Sequence, residues 1–330
     1  MEGHRPPGRR RKHPPRGRGG ARRDLRRRGR RHPRGPGHEG DGGVAQHRGV
    51  GRSHRRPAGS LVTLAPDPSE LLGLGRSIAE EVAQGLEEAL AGDVRATTIT
   101  SKSTGTDLVT EMDTWAERLI TDRILAARPD DSIVGEEGAD VAGTSGVSWC
   151  VDPIDGTVNF VHGLPGFCVS IAAQWQGETV AAVVVSPLHR DTYTATAGGG
   201  AHRNDEPIRC SEPAGLGRAV VGTGFGYRPE RRRRQAEVVT EVIPHIADIR
   251  RFGAAAVDLC LVASGRLDGY WEVGLNPWDH AAGALIAVEA GALCSGLNGE
   301  PPSASFVLAA PPSIWTELRD LLAGAGAADL

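Results

Sequence analysis

The 330-residue chain carries 38 Lys+Arg against 41 Asp+Glu, and its formal net charge of −3 conceals two different segments. Residues 1–60 hold 19 of the basic and 4 of the acidic residues, a formal +15, which leaves −18 on residues 61–330. No stretch is apolar for long enough to span a bilayer, no h-region follows the basic start, and five scattered cysteines fit neither a disulfide scaffold nor a CxxC metal site.

Residues 1–60 consist mainly of Arg, Gly, Pro and His and are too poor in apolar side chains to bury a core, so the expectation is disorder. Two readings stay open. One is a tail for nucleic acid or an acidic surface, which the absence of stacking aromatics weakens. The other is text from upstream of the true start of translation, with Val62 as an alternative start codon. A reducing cytoplasm is the expected compartment, with Cys150, Cys168 and Cys260 as buried free thiols.

In the body, Pro68-Ser69-Glu70 opens a helix capped by Ser69, and Leu71, Leu74, Ile78, Val82, Leu86 and Leu90 repeat along it down to Gly92. A β-like stretch at Thr97 to Thr100, a polar loop and Asp107-Leu108-Val109-Thr110 follow. A second helix is predicted from about Asp113 to Ala127, stopped by Pro129. Short strands then run from Ser132 to Val134, ending in Gly135-Glu136-Glu137, and from Val147 to Val151, ending in Asp152-Pro153-Ile154-Asp155-Gly156-Thr157. Strand-like runs cover Phe167 to Gln174, Val180 to Ser186 and Arg190 to Ala197, with turns at Gly198-Gly199-Gly200 and Asn204-Asp205. The second half reads as strand Ala219–Thr223, helix Pro229–Val242, Gly253 before a helix Ala254–Ser264, and strand Leu267–Trp271. It closes with a helix Trp278–Ala290 that starts at Asp279, strand Phe306–Ala310 and helix Pro312–Leu322. The expectation is a layered α/β body over residues 61–330, with subdomains of about 61–215 and 216–330.

Residues 152–157 place two carboxylates three positions apart on a kinked turn. That is either an Asx-type turn or a pair of hard oxygen ligands beside free amides, suited to Mg²⁺ and a phosphate. Further acids stand at element ends: Asp107 and Asp113, Glu136 and Glu137, and Asp279. Each has a plain alternative: a solvated loop for Glu136-Glu137, a helix N-cap for Asp279, and a pairing with Lys102 or a turn cap for Asp107. Carboxylates gathered without Cys or His favour Mg²⁺ or Mn²⁺ over zinc, and His280 reads as packing. The run Arg231 to Arg234 is either a solvated helix start or an attractor of anionic substrate.

The order of these pieces resembles the inositol monophosphatase family, within the lithium-sensitive, Mg²⁺-dependent phosphatase superfamily, over about residues 69–322. The resemblance rests on Lys102 with Asp107-Leu108-Val109-Thr110 and Asp113, on Gly135-Glu136-Glu137, on residues 152–160, and on Trp278-Asp279 with Ala282-Gly283 and Glu289-Ala290-Gly291. It implies an αβαβα sandwich of the inositol monophosphatase and fructose-1,6-bisphosphatase type. It implies a first Mg²⁺ at Glu136, Asp152 and the Ile154 carbonyl, a second at Asp152, Asp155 and Asp279, and a third, weaker ion near Glu136, with Mn²⁺ as a substitute. Thr157 backed by Asp113 would orient the attacking water with help from Glu136, Glu137 would support them, and the Gly156 and Thr157 amides would bind phosphate. Gly253, Ala254, Ala255 and Glu272 would meet the alcohol. The implied reaction is hydrolysis of myo-inositol 1-phosphate by a homodimer. Histidinol phosphate is the main rival substrate; fructose 1,6-bisphosphate, 3′-phosphoadenosine 5′-phosphate and NADP are further ones. A regulatory role linked to RNA or transcription is the reading of another class. The chain departs from animal members at Glu111-Met112, at Asn276-Pro277 and in the Gly-rich loop 223–229, and Leu275-Asn276-Pro277-Trp278-Asp279 has a bacterial form.

Overall fold

The long strands of this protein are buried on both faces, and that decides its layering. In a computed structural model the described residues are 65–92, 99–101 and 108–330. The chain divides into units Met1–Gly59 and Ser60–Leu330, and all described residues belong to the second. Lys102, Asp107 and the predicted tail lie outside the described residues.

The elements are α1 (Pro68–Ala91), β1 (Ile99–Ser101), β2 (Leu108–Thr110), α2 (Glu111–Ala127), β3 (Ser132–Gly135), β4 (Asp140–Val141), β5 (Val147–Asp155), α3 (Thr157–His162), β6 (Cys168–Trp175), β7 (Glu178–Ser186), β8 (Asp191–Thr196), β9 (Gly200–Arg203) and β10 (Glu206–Pro207). The second half adds β11 (Val220–Thr223), α4 (Pro229–Val242), β12 (Asp248–Arg250), α5 (Ala255–Ala263), β13 (Gly269–Glu272), α6 (Pro277–Glu289), β14 (Leu293–Ser295), β15 (Val307–Ala310) and α7 (Pro312–Gly324). An eight-stranded sheet runs β10-β9-β8-β7-β6-β5-β3-β4, and a five-stranded sheet runs β12-β11-β13-β15-β14. The first is antiparallel except where β3 meets β5; in the second, β11 lies parallel to β12 and to β13.

Side chains alternate faces along a strand, so one apolar run feeds two cores. On β7, Ala181, Val183 and Val185 face α1 and α2, while Ala182 and Val184 face α5 and α6. On β15, Val307 and Ala309 join that same central core, while Leu308 and Ala310 pack with Val238 of α4 and Leu318 of α7. The layers are therefore α1 and α2, the large sheet, α5 and α6, the small sheet, then α4 and α7: the expected αβαβα sandwich.

Several local expectations are corrected. Asp67, not Ser69, caps α1, its Oδ1 accepting the Ser69 amide at 2.8 Å. β5 does not stop at Val151 but runs through to Asp155, its pairing with β6 shifting register between Asp152 and Asp155. The proline fits there because a bulge releases it from the ladder. Helix α2 starts at Glu111, two residues early, because Thr110 is its cap. Helix α6 is capped by Asn276, so Asp279 sits inside the first turn and is not the cap.

Candidate active site

Local capping chemistry places two carboxylates. In α2, Thr110 caps the helix and Asp113, at the third position, reaches back to the Thr110 amide at 2.7 Å and accepts the Thr110 hydroxyl at 2.5 Å. In α6, Asn276 caps and Asp279 accepts the Asn276 amide at 2.6 Å. Both are capping boxes, and each leaves a carboxylate at a helix N-terminus, where the backbone dipole favours negative charge. Asp155, at the end of β5, is held in the same way from outside: its Oδ2 accepts the Ala256 amide, at the start of α5, at 2.7 Å. Asp152 accepts the Ile154 amide at 3.1 Å, which turns its carboxylate back along the bulge.

These pieces meet at a cavity of about 540 Å³. Its lining includes Glu136, Asp152, Ile154, Asp155, Gly156, Thr157, Gly253, Ala255, Glu272 and Asp279 from the expected set. Two expected residues stand behind it. Asp113 is fully buried and touches the lining through its Oδ1, which accepts from the Thr157 hydroxyl at 3.1 Å. Ala254 is buried and does not line the cavity; a side chain on Gly156 would meet its Cβ at 3.1 Å. Gly156 itself has φ +90°, a left-handed conformation that glycine adopts without strain, and it turns the chain sharply into α3.

Five supporting residues stand outside the expected site set. Glu117 of α2 is buried and accepts the Glu137 amide at 2.7 Å and the Ala139 amide at 2.9 Å, fixing the turn that carries Glu136. Tyr270 donates its hydroxyl to Glu272 Oε2 at 2.6 Å. Gly224 leaves the room Glu272 needs, since a Cβ there would stand 1.9 Å from Glu272 Oε2. Arg231 and Arg251 line the cavity beside the carboxylates. The sequence signals among these were the arginine run for Arg231 and the Gly-rich loop 223–229 for Gly224; Glu117, Tyr270 and Arg251 had none.

The electrostatics are strained by design of the packing. Burial pushes Asp155 up to about 7, opposed by the Ala256 amide and reinforced by the Glu136 charge. Burial and then the charges of Glu136, Asp155 and Asp279 push Asp152 well above the usual carboxylate range. Asp279 is raised likewise, by burial and by Asp155. Behind them, burial and then Glu272 and Asp155 raise Asp258. Among the described residues no three such side chains close into a formed metal cage. The donor chemistry nevertheless fits a hard divalent cation: all oxygen, with Asp152, Asp155 and Asp279 in one another's field. His280 is buried, and burial lowers it to about 4, in keeping with a packing role.

The sequence model described as the inositol monophosphatase family matches residues 67–325. The chain belongs to the inositol monophosphatase family. It is 45% identical over 269 residues to an inositol-1-monophosphatase of Mycobacterium bovis, spanning 76% of this chain and 93% of that protein. It is 42% identical over 223 residues to a Nus factor SuhB of Pasteurella multocida, spanning 66% of this chain and 83% of that one. Among solved structures, the extragenic suppressor protein suhB of Bartonella henselae matches with a TM-score of 0.73 and 34% identity, over 77% of this chain and 98% of that one. As an inositol monophosphatase family member the chain is a phosphatase, and the family is metal-dependent. Among the described residues no helix is long and apolar enough to cross a membrane.

Proposed function

We propose that this protein hydrolyses small phosphate monoesters with Mg²⁺, and that myo-inositol 1-phosphate, giving myo-inositol and phosphate, is its substrate. The observation that carries this reading is the meeting of Glu136, Asp152, Asp155 and Asp279 at one cavity that also holds Glu272 and the backbone at Gly253. In this reading Glu136, Asp152 and the Ile154 carbonyl hold one ion, and Asp152, Asp155 and Asp279 hold a second. A third, weaker ion sits near Glu136. Mg²⁺ there would neutralise the phosphate, lower the pKa of a bound water and stabilise the leaving alkoxide.

The residues of the chain supply position and proton management. The Thr157 hydroxyl lies 3.1 Å from Asp113 Oδ1 and 3.1 Å from the Ile154 carbonyl, and it has one proton to give. Donating that proton to Asp113 leaves its lone pairs to accept from a water on the cavity side, which holds the water for attack. Glu136 assists, and Glu137, tied to Glu117 through its amide, supports the turn. The Gly156 and Thr157 amides face the phosphate. Glu272, oriented by Tyr270, accepts from hydroxyls of the alcohol alongside Gly253 and Ala255. No covalent enzyme intermediate is required.

Phosphate release from a panel settles the substrate: myo-inositol 1-phosphate, histidinol phosphate, fructose 1,6-bisphosphate, 3′-phosphoadenosine 5′-phosphate and NADP, each with Mg²⁺ and with or without Li⁺. The expected result is highest kcat/KM for myo-inositol 1-phosphate and inhibition by Li⁺. Equal turnover of all would defeat the narrow assignment, and no turnover of any would defeat the mechanism.

The Nus factor name borne by the Pasteurella relative favours a second reading, a role beside the transcription machinery. Salt-dependent RNA binding lost on deletion of residues 1–60 would support it; no binding at low salt would remove it. A homodimer and a cytoplasmic location belong to the first reading, and light scattering of the purified chain tests the dimer.

A further inference from the structure

We propose that the cavity contains a second anion-binding subsite, built by Arg231 and Arg251, which extends the substrate class to phosphate monoesters whose alcohol carries a second anionic group. Between two esters alike in all but that group, the enzyme favours the doubly anionic one. The proposal rests on the phosphatase reading above for the position of the scissile phosphate.

The arginine run at the start of α4 separates by partner. Arg233 pairs with Glu237, Arg234 donates to the Asp329 carbonyl, and Arg232 donates to the Gly226 carbonyl at 3.2 Å. Arg231 alone of the four lines the cavity, and among the described residues no hydrogen bond or ion pair closes on it. Arg251, from the segment after β12, lines the same cavity and is likewise without such a partner among the described residues. Its charge acts on Glu272, so the guanidinium lies near the carboxylate expected to meet the substrate's hydroxyls.

Space has been cleared for both groups. A Cβ on Gly274 would fall 2.3 Å from Arg231 Nη1, and one on Gly226 would fall 3.0 Å from Arg231 Cδ. A Cβ on Gly253 would fall 2.1 Å from Arg251 Nη1. Three glycines from three separate segments thus let the two side chains lie flat on backbone at the cavity wall. The loop beneath Arg231 is fixed from below, because the fully buried Gln235 accepts the Gly226 amide at 2.9 Å. A planar guanidinium held in advance is suited to a carboxylate or phosphate, which it can grip with two parallel hydrogen bonds. The volume of about 540 Å³ leaves room for a sugar-sized spacer between the acidic end and this basic wall.

Two matched pairs test the idea in the full chain with Mg²⁺. Fructose 1-phosphate and fructose 1,6-bisphosphate differ by a phosphate; glycerol 2-phosphate and 2-phosphoglycerate differ by a carboxylate. The wild type is expected to favour the doubly anionic member by about tenfold or more in kcat/KM. Arg231→Gln and Arg251→Gln are each expected to bring that ratio down toward one, while Arg233→Gln, on the same helix but paired with Glu237, leaves it in place. A preference confined to one pair identifies the second group as phosphate or as carboxylate. A wild-type ratio near one in both pairs overturns the subsite, and so does a ratio that survives both variants. Calorimetric binding of the same pairs with Ca²⁺ in place of Mg²⁺ separates this from catalysis. Tighter binding of the doubly anionic members with no turnover of any member in Mg²⁺ keeps the subsite and defeats the phosphatase reading; turnover in Mg²⁺ with equal binding does the reverse.

Discussion

Asp113, Asp155 and Asp279 each accept amide protons at or near the start of a helix: Asp113 from Thr110 at α2, Asp279 from Asn276 at α6, and Asp155 from Ala256 at α5. A charge-bearing acceptor held this way keeps its rotamer before anything binds, and the amides offset part of the cost of burying it. Asn at position 279 would preserve the acceptor and lose the charge. Asp279→Asn is therefore expected to keep the fold, with Tm within a few degrees, while activity falls on the order of 100-fold or more. Near-normal kcat would remove Asp279 from the proposed ligand set. The Thr157 hydroxyl makes a sharper test: Thr157→Val is expected to lower kcat on the order of 100-fold and Thr157→Ser to restore most of it. Near-normal kcat in Thr157→Val together with a loss in Thr157→Ser would mean that the methyl group matters and the hydroxyl does not. At this scale much was legible. The spacings Thr110-x-x-Asp113 and Asn276-x-x-Asp279 are capping-box patterns open to any reader of the sequence, although starting the helix at Asp279 placed its first turn two residues late. The Tyr270 bond to Glu272 was not legible, since it depends on the side-chain arrangement along β13.

Glu117 shows what an element contributes that no motif records. It projects from α2 into the β3–β4 turn and takes two amides, so the helix, not the loop, decides where Glu136 stands. Glu117→Ala is expected to lower kcat/KM by about 10- to 100-fold through misplacement of Glu136. Unchanged kinetics would show that the turn holds itself. Gly224→Ala tests the strand side of the cavity, where the added Cβ would stand 1.9 Å from Glu272 Oε2. The expected outcome is a raised KM, with kcat much less affected, because the proposed reading puts the scissile phosphate elsewhere. A fall in kcat with KM unchanged would sink that account. Elements with a strong apolar pattern, such as α1, β6 and β7, and α4 with its opening proline, were read from the sequence nearly to the residue. The two- and three-residue strands β4, β10, β12 and β14 were not, because pairing with a neighbour creates them and a run that short has no period to see.

At the scale of the whole molecule the raised carboxylates couple stability to pH. Asp155 has an ordinary value of 3.8 and sits at about 7 when folded, so the folded state binds a proton more tightly than the unfolded one. Stability therefore falls as pH rises through that interval, and Asp152 and Asp279 act in the same direction. In chelator, Tm is expected to drop by several degrees between about pH 5 and pH 8, and millimolar Mg²⁺ to cancel most of the drop. Thermal melts over that range, with and without Mg²⁺, decide it; a chelated protein whose Tm is flat or rises would contradict the charge assignment.

The grip of Asp155 on the Ala256 amide crosses from the first sheet's half of the chain to the second's. Glu136, Asp152 and Asp155 come from the first half, while Asp279, Glu272, Arg231 and Arg251 come from the second. On the proposed reading, the residues that meet the alcohol therefore sit mainly in the second half. A recombinant that borrows that half from a relative is expected to keep its phosphate chemistry so long as the newcomer returns a carboxylate at 279 and an amide to Asp155, and phosphate release from the recombinant checks it.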